Sequence, residues 1–132
     1  MRKSCFIFIL AAFLCSIAKT KAATPDLFVT QDTTWSGAIV LDKNVTVLTG
    51  KKLTILPGTD IKLNRGISVT ADSNAVIRIL GSDINPVSLS PTEPGTYWHN
   101  FHASQPGSVL EMTYVDVEGG QIKISNGGTG NI

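Results

Sequence analysis

From Val45 onward the chain repeats one short unit: an apolar residue, a polar one, and a second apolar one. The unit runs as Val45-Thr46-Val47, Leu53-Thr54-Ile55, Ile61-Lys62-Leu63, Ile67-Ser68-Val69, Ile77-Arg78-Ile79 and Val87-Ser88-Leu89. It returns as Leu110-Glu111-Met112, Val115-Asp116-Val117 and Ile122-Lys123-Ile124. Alternation with period two predicts strands with one buried and one wet face. Val, Ile and Leu dominate the buried positions, where branched side chains suit a pleated surface. Between the units lie Gly50, Pro57-Gly58, Asn64-Arg65-Gly66, Gly81-Ser82, Asn85-Pro86 and Gly119-Gly120, all turn formers. No helical period survives beyond the first two dozen residues.

An antiparallel sandwich is the ordinary destination for many short strands. The spacing argues against it, because unit centres at 46, 54, 62 and 68 stand only six to eight residues apart. Sandwich strands of about five or six residues followed by hairpin turns do not fit that interval. A solenoid needs only a short strand before each corner and builds its core by stacking coils. Three strands per coil predict pairing of 46 with 68, 54 with 78 and 62 with 88, steps of 22, 24 and 26 residues. A left-handed hexapeptide helix needs a strict step of six. The calcium-binding nonapeptide roll needs a Gly-Gly-x-Gly-x-Asp run that this chain lacks. Since parallel crossovers are nearly always right-handed, the predicted fold is all-β: a right-handed parallel β-helix of about four to five short coils.

Several of the same residues resemble the opening coils of bacterial secreted and cell-surface β-helix repeat proteins, in the pectate-lyase-like solenoid superfamily. The resemblance rests on Trp35, Val45-Thr46-Val47, Lys52-Leu53-Thr54-Ile55-Leu56-Pro57-Gly58-Thr59-Asp60-Ile61, Ala75–Gly81, Pro86–Ser90 and Trp98. It covers roughly residues 35–118. It implies the fold and a bacterial source, and it implies little about activity. One departure is Trp98-His99-Asn100-Phe101, where the family pattern places a glycine two residues after the tryptophan.

The first stretch has another destiny. Arg2 and Lys3 precede an apolar and small-residue run, Cys5–Leu14, which decays into Lys19-Thr20-Lys21-Ala22-Ala23. That arrangement reads as a secretory signal peptide over residues 1–22. The run is too short to cross a bilayer as a helix, which takes roughly 20 residues, so no transmembrane anchor is expected in the mature chain. Residues 23–44 are assigned to an N-terminal cap, with Leu27-Phe28-Val29 and Ile39-Val40-Leu41 as its apolar contacts. Residues 45–132 are assigned to the β-helix. No matching cap is legible after Gly127, which predicts either missing C-terminal coils or end-to-end self-association.

Composition then narrows the function. Both cysteines, Cys5 and Cys15, fall in the leader, so neither disulfides nor thiolate metal sites are expected in the mature part. Four of the eleven Lys and Arg also fall there, leaving seven basic against ten acidic residues. A mildly acidic domain without a basic stripe does not suit nucleic acid. Serine nucleophile elbows, phosphate loops and dinucleotide fingerprints are absent, and no cofactor is expected. Asn44-Val45-Thr46 is a glycosylation sequon, silent in a bacterium.

Four groups of residues remain as candidates. Asp116 and Glu118 are two apart on a strand, with side chains about 7 Å apart; with Glu111 near a bend at Thr113-Tyr114, they could bind calcium or act as acids on a glycosidic bond. His99 and His102, three apart, are expected on opposite faces and so hold no metal. Tyr97, Trp98 and Phe101 could form a sugar-stacking platform or line a loop. Lys62, Arg78 and Lys123 could align as a basic stripe toward acidic polysaccharide. The expectation is a secreted or cell-surface, non-catalytic β-helix module, acting as a scaffold or adhesin-like surface with a glycan as partner. A fragment of a polysaccharide lyase or glycoside hydrolase, using Asp116, Glu118 and Glu111, is the alternative.

Overall fold

The computed structural model describes residues 26–124 and 127–131. The signal-peptide assignment to residues 1–22 lies outside them. Among the described residues every element is a strand: β1 Leu27–Val29, β2 Thr33–Trp35, β3 Ala38–Leu41, β4 Val45–Val47, β5 Lys52–Ile55, β6 Asp60–Leu63 and β7 Ser68–Ala71. They continue as β8 Val76–Leu80, β9 Val87–Pro91, β10 Asn100–Ala103, β11 Val109–Thr113, β12 Val115–Val117, β13 Gln121–Ile124 and β14 Thr129–Asn131.

Each strand pairs in parallel with the strand three places along the chain. Three sheets result: sheet 1 in the order β1-β4-β7-β10-β13, sheet 2 with β2-β5-β8-β11-β14, and sheet 3 with β3-β6-β9-β12. The protein is therefore a parallel β-solenoid of four three-strand coils, with β13 and β14 opening a fifth. Residues 27–41, within the segment assigned to a cap, supply three strands paired to β4, β5 and β6.

The coil-to-coil register differs in part from the spacing argument. Thr54 faces Arg78, as expected. Thr46, however, faces Thr70 rather than Ser68, and Lys62 faces Ser90 rather than Ser88. Both shifts are two residues, and a two-residue slip leaves every side chain on its original face. The inward pattern could thus be read correctly while two of three pairings were misplaced. Ala71 is the cause in sheet 1: it is fully buried at the end of β7, yet alanine is too weakly apolar to mark a strand.

The core is a set of stacked apolar columns. Val45, Val69 and Phe101 stack in sheet 1, Leu53, Ile77 and Leu110 in sheet 2, and Ile61 and Leu89 in sheet 3. All are fully buried, and each contributes about 1.5–3 kcal/mol on burial. One coil alone would leave both sides of these columns wet and could not offset its ordering entropy. Stacking supplies the missing half of each coil's burial.

The corners repeat as well. Between sheets 1 and 2, Gly50, Asn74, Gly107 and Gly127 lie at successive levels, all with φ between 58° and 92°. That is the left-handed region, which glycine enters freely and asparagine tolerates better than most residues. The amide of Gly50 donates to Ser73 O at 3.3 Å, and that of Asn74 to Pro106 O at 3.1 Å. In the Pro57-Gly58-Thr59 corner, the fully buried Thr59 donates its hydroxyl to Leu56 O at 2.7 Å. A buried hydroxyl is thereby satisfied where the chain turns from sheet 2 to sheet 3. The last turn before sheet 1, residues 92–99, is long, and it stretches the step from Val69 to Phe101 to 32 residues. This segment positions the site.

Candidate functional site

A cleft of about 400 Å³ opens beside sheet 1, lined by Tyr97, Trp98, His99, Gly119, Gly120 and Gln121. Its two walls come from consecutive passages of the chain into sheet 1, one before β10 and one before β13. Their backbones are tied together: the amide of Gln121 donates to His99 O at 3.2 Å, and that of His99 to Ile67 O at 2.8 Å. The amide of Gly66 donates to Tyr97 O at 3.1 Å. The long segment 92–99 is thus fastened at its exit rather than left as a free loop.

Trp98 is the keystone. It is only 3% exposed, and its indole Nε1 donates to Glu118 O at 2.7 Å. Its ring meets Phe101 edge-on, with centroids 5.8 Å apart and planes at 81°, a favoured aromatic arrangement. Gly120 lies so close beneath the indole that any β-carbon there would fall on the ring. The aromatic trio is therefore divided: Trp98 and Phe101 are core, while Tyr97 is 71% exposed. Asn100, the departure from the family pattern, starts β10 and is buried, so the corner accepts it.

Sheet 1 presents a polar outer surface next to the cleft. One row runs Phe28, Thr46, Thr70, His102 and Lys123, and the neighbouring row holds Ser68, Asn100 and Gln121. His99 Nδ1 and Ser68 Oγ stand 3.0 Å apart in a hydrogen bond that fixes the imidazole. His102 sits opposite Lys123 in the ladder. Partial burial, Lys123 and then His99 together hold His102 below the ordinary histidine value of 6.5. The two histidines, which strand parity would have sent to opposite faces, are therefore close enough to feel one another. His99 precedes β10 and does not follow its alternation.

Of the three candidate acids, Glu111 is set apart on another sheet, while Asp116 and Glu118 stay neighbours, both exposed. Glu111 lies in β11 of sheet 2, directly opposite Arg78 of β8, whose Nε donates to Glu111 Oε1 at 2.7 Å. Asp116 lies in β12 of sheet 3, and Glu118 follows that strand. The corner that separates Glu111 from these two is Tyr114, at φ 48°, the bend that the parity change at Thr113-Tyr114 predicted. Asp116 instead shares a row with Ser88 and Asp60. Asp60 was missed because it opens a strand just after a turn and reads as a turn residue. Its Oδ1 is buried without a hydrogen bond and stands 3.8 Å from Lys62 Nζ, a loose ion contact.

The predicted basic stripe does not form, because its members belong to different sheets. Lys62 lies in sheet 3, Arg78 in sheet 2 and Lys123 in sheet 1. Lys62 donates to Ser90 Oγ at 3.0 Å, and Arg78 is engaged with Glu111. Among the described residues no group of three or more His, Cys, Asp or Glu is placed to hold a metal ion. Comparison with protein-family models, with curated proteins and with solved structures found no match in any of the three.

Proposed function

We propose that this chain is a secreted or cell-surface β-helix module whose outer surface binds glycan without cleaving it. The observation that carries the reading is the cleft beside sheet 1. It offers one exposed aromatic ring, Tyr97, beside His99 and Gln121. An exposed ring suits the apolar face of a sugar, and the flanking amide and imidazole suit its hydroxyls. The backbone ties of Tyr97, His99 and Gln121 fix these groups in advance, which reduces the ordering cost of binding. Separation of Glu111 from Asp116 supports a non-catalytic role. Export rests on the leader-like residues 1–22, and a bacterial source rests on the Leu53-Thr54-Ile55-Leu56-Pro57-Gly58-Thr59 resemblance.

The test is a glycan array on the purified protein together with its Tyr97→Ala variant. Binding that falls at least tenfold in the variant, with an unchanged thermal melt, supports the reading. A glycan bound equally by both proteins contradicts it.

One observation favours the enzymatic alternative, and it differs from the trio expected above. Asp60 and Asp116 lie two strands apart in one row of sheet 3, flanking Ser88. Strand spacing puts their backbones about 10 Å apart, near the wide separation used by inverting glycosidases, about 6.5–9.5 Å between carboxyls. Under that reading Asp116→Asn abolishes turnover.

A further inference from the structure

Resting on the glycan-binding reading above, we infer that the sheet 1 end of the cleft takes a tetrahedral oxyanion ester on a saccharide, a sulfate or phosphate monoester, held by His99, His102 and Lys123. His102 and Lys123 stand directly opposite in adjacent strands, about 4.8 Å apart along the ladder. His99 forms the third corner at the cleft wall. Its Nδ1 is engaged with Ser68 Oγ, so Nε2 is the nitrogen assigned to the ligand.

The donor set selects the anion's shape. A planar carboxylate is matched best by the parallel fork of an arginine, and neither sheet 1 row contains one. Separate point donors instead suit an ester group with three terminal oxygens pointing in different directions. The sugar ring bearing it would occupy the cleft against Tyr97 and Gln121, whose volume of about 400 Å³ falls within the usual range for ligand clefts.

The electrostatics give the site a pH dependence. Along β7 the outward positions beside His102 are the neutral Ser68 and Thr70, with Asp72 beyond the strand's end. Along β13 they are Gln121 and Lys123. Partial burial discourages the proton of His102 most, and the charges of Lys123 and then His99 add to it. An oxyanion among them reverses that balance, so binding takes up protons and tightens as the pH falls below the histidine range. Outside the leader the chain carries more acid than base. Generic attraction of polyanions is therefore opposed, and binding needs this local cluster.

The experiment is calorimetric titration of the purified protein with dextran sulfate, dextran phosphate, polygalacturonate and uncharged dextran, at pH 5.5 and 7.5. The chain has only two histidines, so their ring resonances report occupancy directly. Dextran sulfate, whose charge is constant over this range, should bind at least tenfold more tightly at the lower pH and shift both rings. Dextran phosphate itself loses charge at about pH 6, so its pH dependence is flatter, and the polymer preferred at pH 5.5 names the ester. Lys123→Gln and the pair His99→Gln/His102→Gln should each weaken binding at least fivefold while keeping a cooperative melt. Equal affinity for dextran sulfate at the two pH values, affinity unaffected by these substitutions, polygalacturonate bound as tightly as the esters, or no charged polymer bound would each overturn the inference. Uncharged dextran bound as tightly as both esters at both pH values, and lost in Tyr97→Ala, would overturn it while leaving the glycan-binding reading intact.

Discussion

Trp98 lies directly over Gly120, with no room between indole and backbone for even one methyl group. This contact joins the third and fourth coils at the cleft and sets the depth of its floor. Gly120 does not have a positive φ, so the requirement for glycine here is steric and not conformational. Gly120→Ala should therefore destabilise the fold by about 1–3 kcal/mol, the range for overpacking, visible as a lower urea midpoint with an unchanged slope. Gly37→Ala makes the contrast. Nothing lies within 4 Å of a β-carbon at Gly37, but its φ is 81°, so only the backbone cost of about 1–2 kcal/mol applies. Truncating the indole with Trp98→Leu should rescue Gly120→Ala and not Gly37→Ala.

Stacked columns also predict where the solenoid is brittle. Ile77 is fully buried, with Leu53 on one side and Leu110 on the other. Ile77→Ala should cost about 2–5 kcal/mol, and the loss should reach the coils above and below, because each coil relies on its neighbours. Amide exchange should then quicken in β5 and β11 together. Val40, 65% exposed on sheet 3, should tolerate alanine with a change under about 0.5 kcal/mol.

The Arg78–Glu111 pair should matter little to stability despite its short contact. Both side chains remain more than one-third exposed, and exposed ion pairs contribute about 0–1 kcal/mol. A double-mutant cycle with Arg78→Gln and Glu111→Gln, read by urea melts at low and high salt, should give a coupling in that range that shrinks with salt. Glu111→Gln should leave glycan binding unchanged, since the pair faces outward on sheet 2, away from the cleft.

His102 gives the stability a specific pH dependence. Its folded-state ionisation lies below the ordinary value of 6.5, so the unfolded chain takes the proton more readily. The stability it contributes is full above 6.5 and is lost as the pH falls through that value toward the depressed one. Urea midpoints at pH 7.5 and 5.5 should show this decline, and His102→Gln should flatten it. A variant with the same decline as the parent would place the effect on other groups.

How much of this was legible in the sequence depends on what each residue's neighbours are. Most strands from Val45 onward announced themselves because Val, Ile and Leu alternate with polar residues, and a two-residue register error left that alternation intact. Ala71 hid the true end of β7, and Leu27-Phe28-Val29 read as a cap because no earlier unit shows it to be a strand. The site was harder to read. In sequence Tyr97, Trp98 and Phe101 fit a sugar-stacking platform or a packed loop lining alike, and only the packing of Gly120 and the Glu118 carbonyl reveals Trp98 as core. His99 and Lys123 lie twenty-four positions apart, and a solenoid joins such residues only once its register is known. The same holds for Asp60, whose row with Asp116 depends on two parallel pairings, one of which, β6 with β9, spacing alone placed two residues away.

The central claim is that the surface binds glycan and leaves it whole. The most direct measurement incubates the purified protein with the polysaccharides it binds, with and without calcium, and follows release of new reducing ends alongside binding. The account predicts binding with no release above a protein-free control, and Asp116→Asn behaving as the parent does. Release that disappears in Asp116→Asn, while the variant still folds and binds, would contradict the account and make the Asp60–Asp116 row a catalytic one.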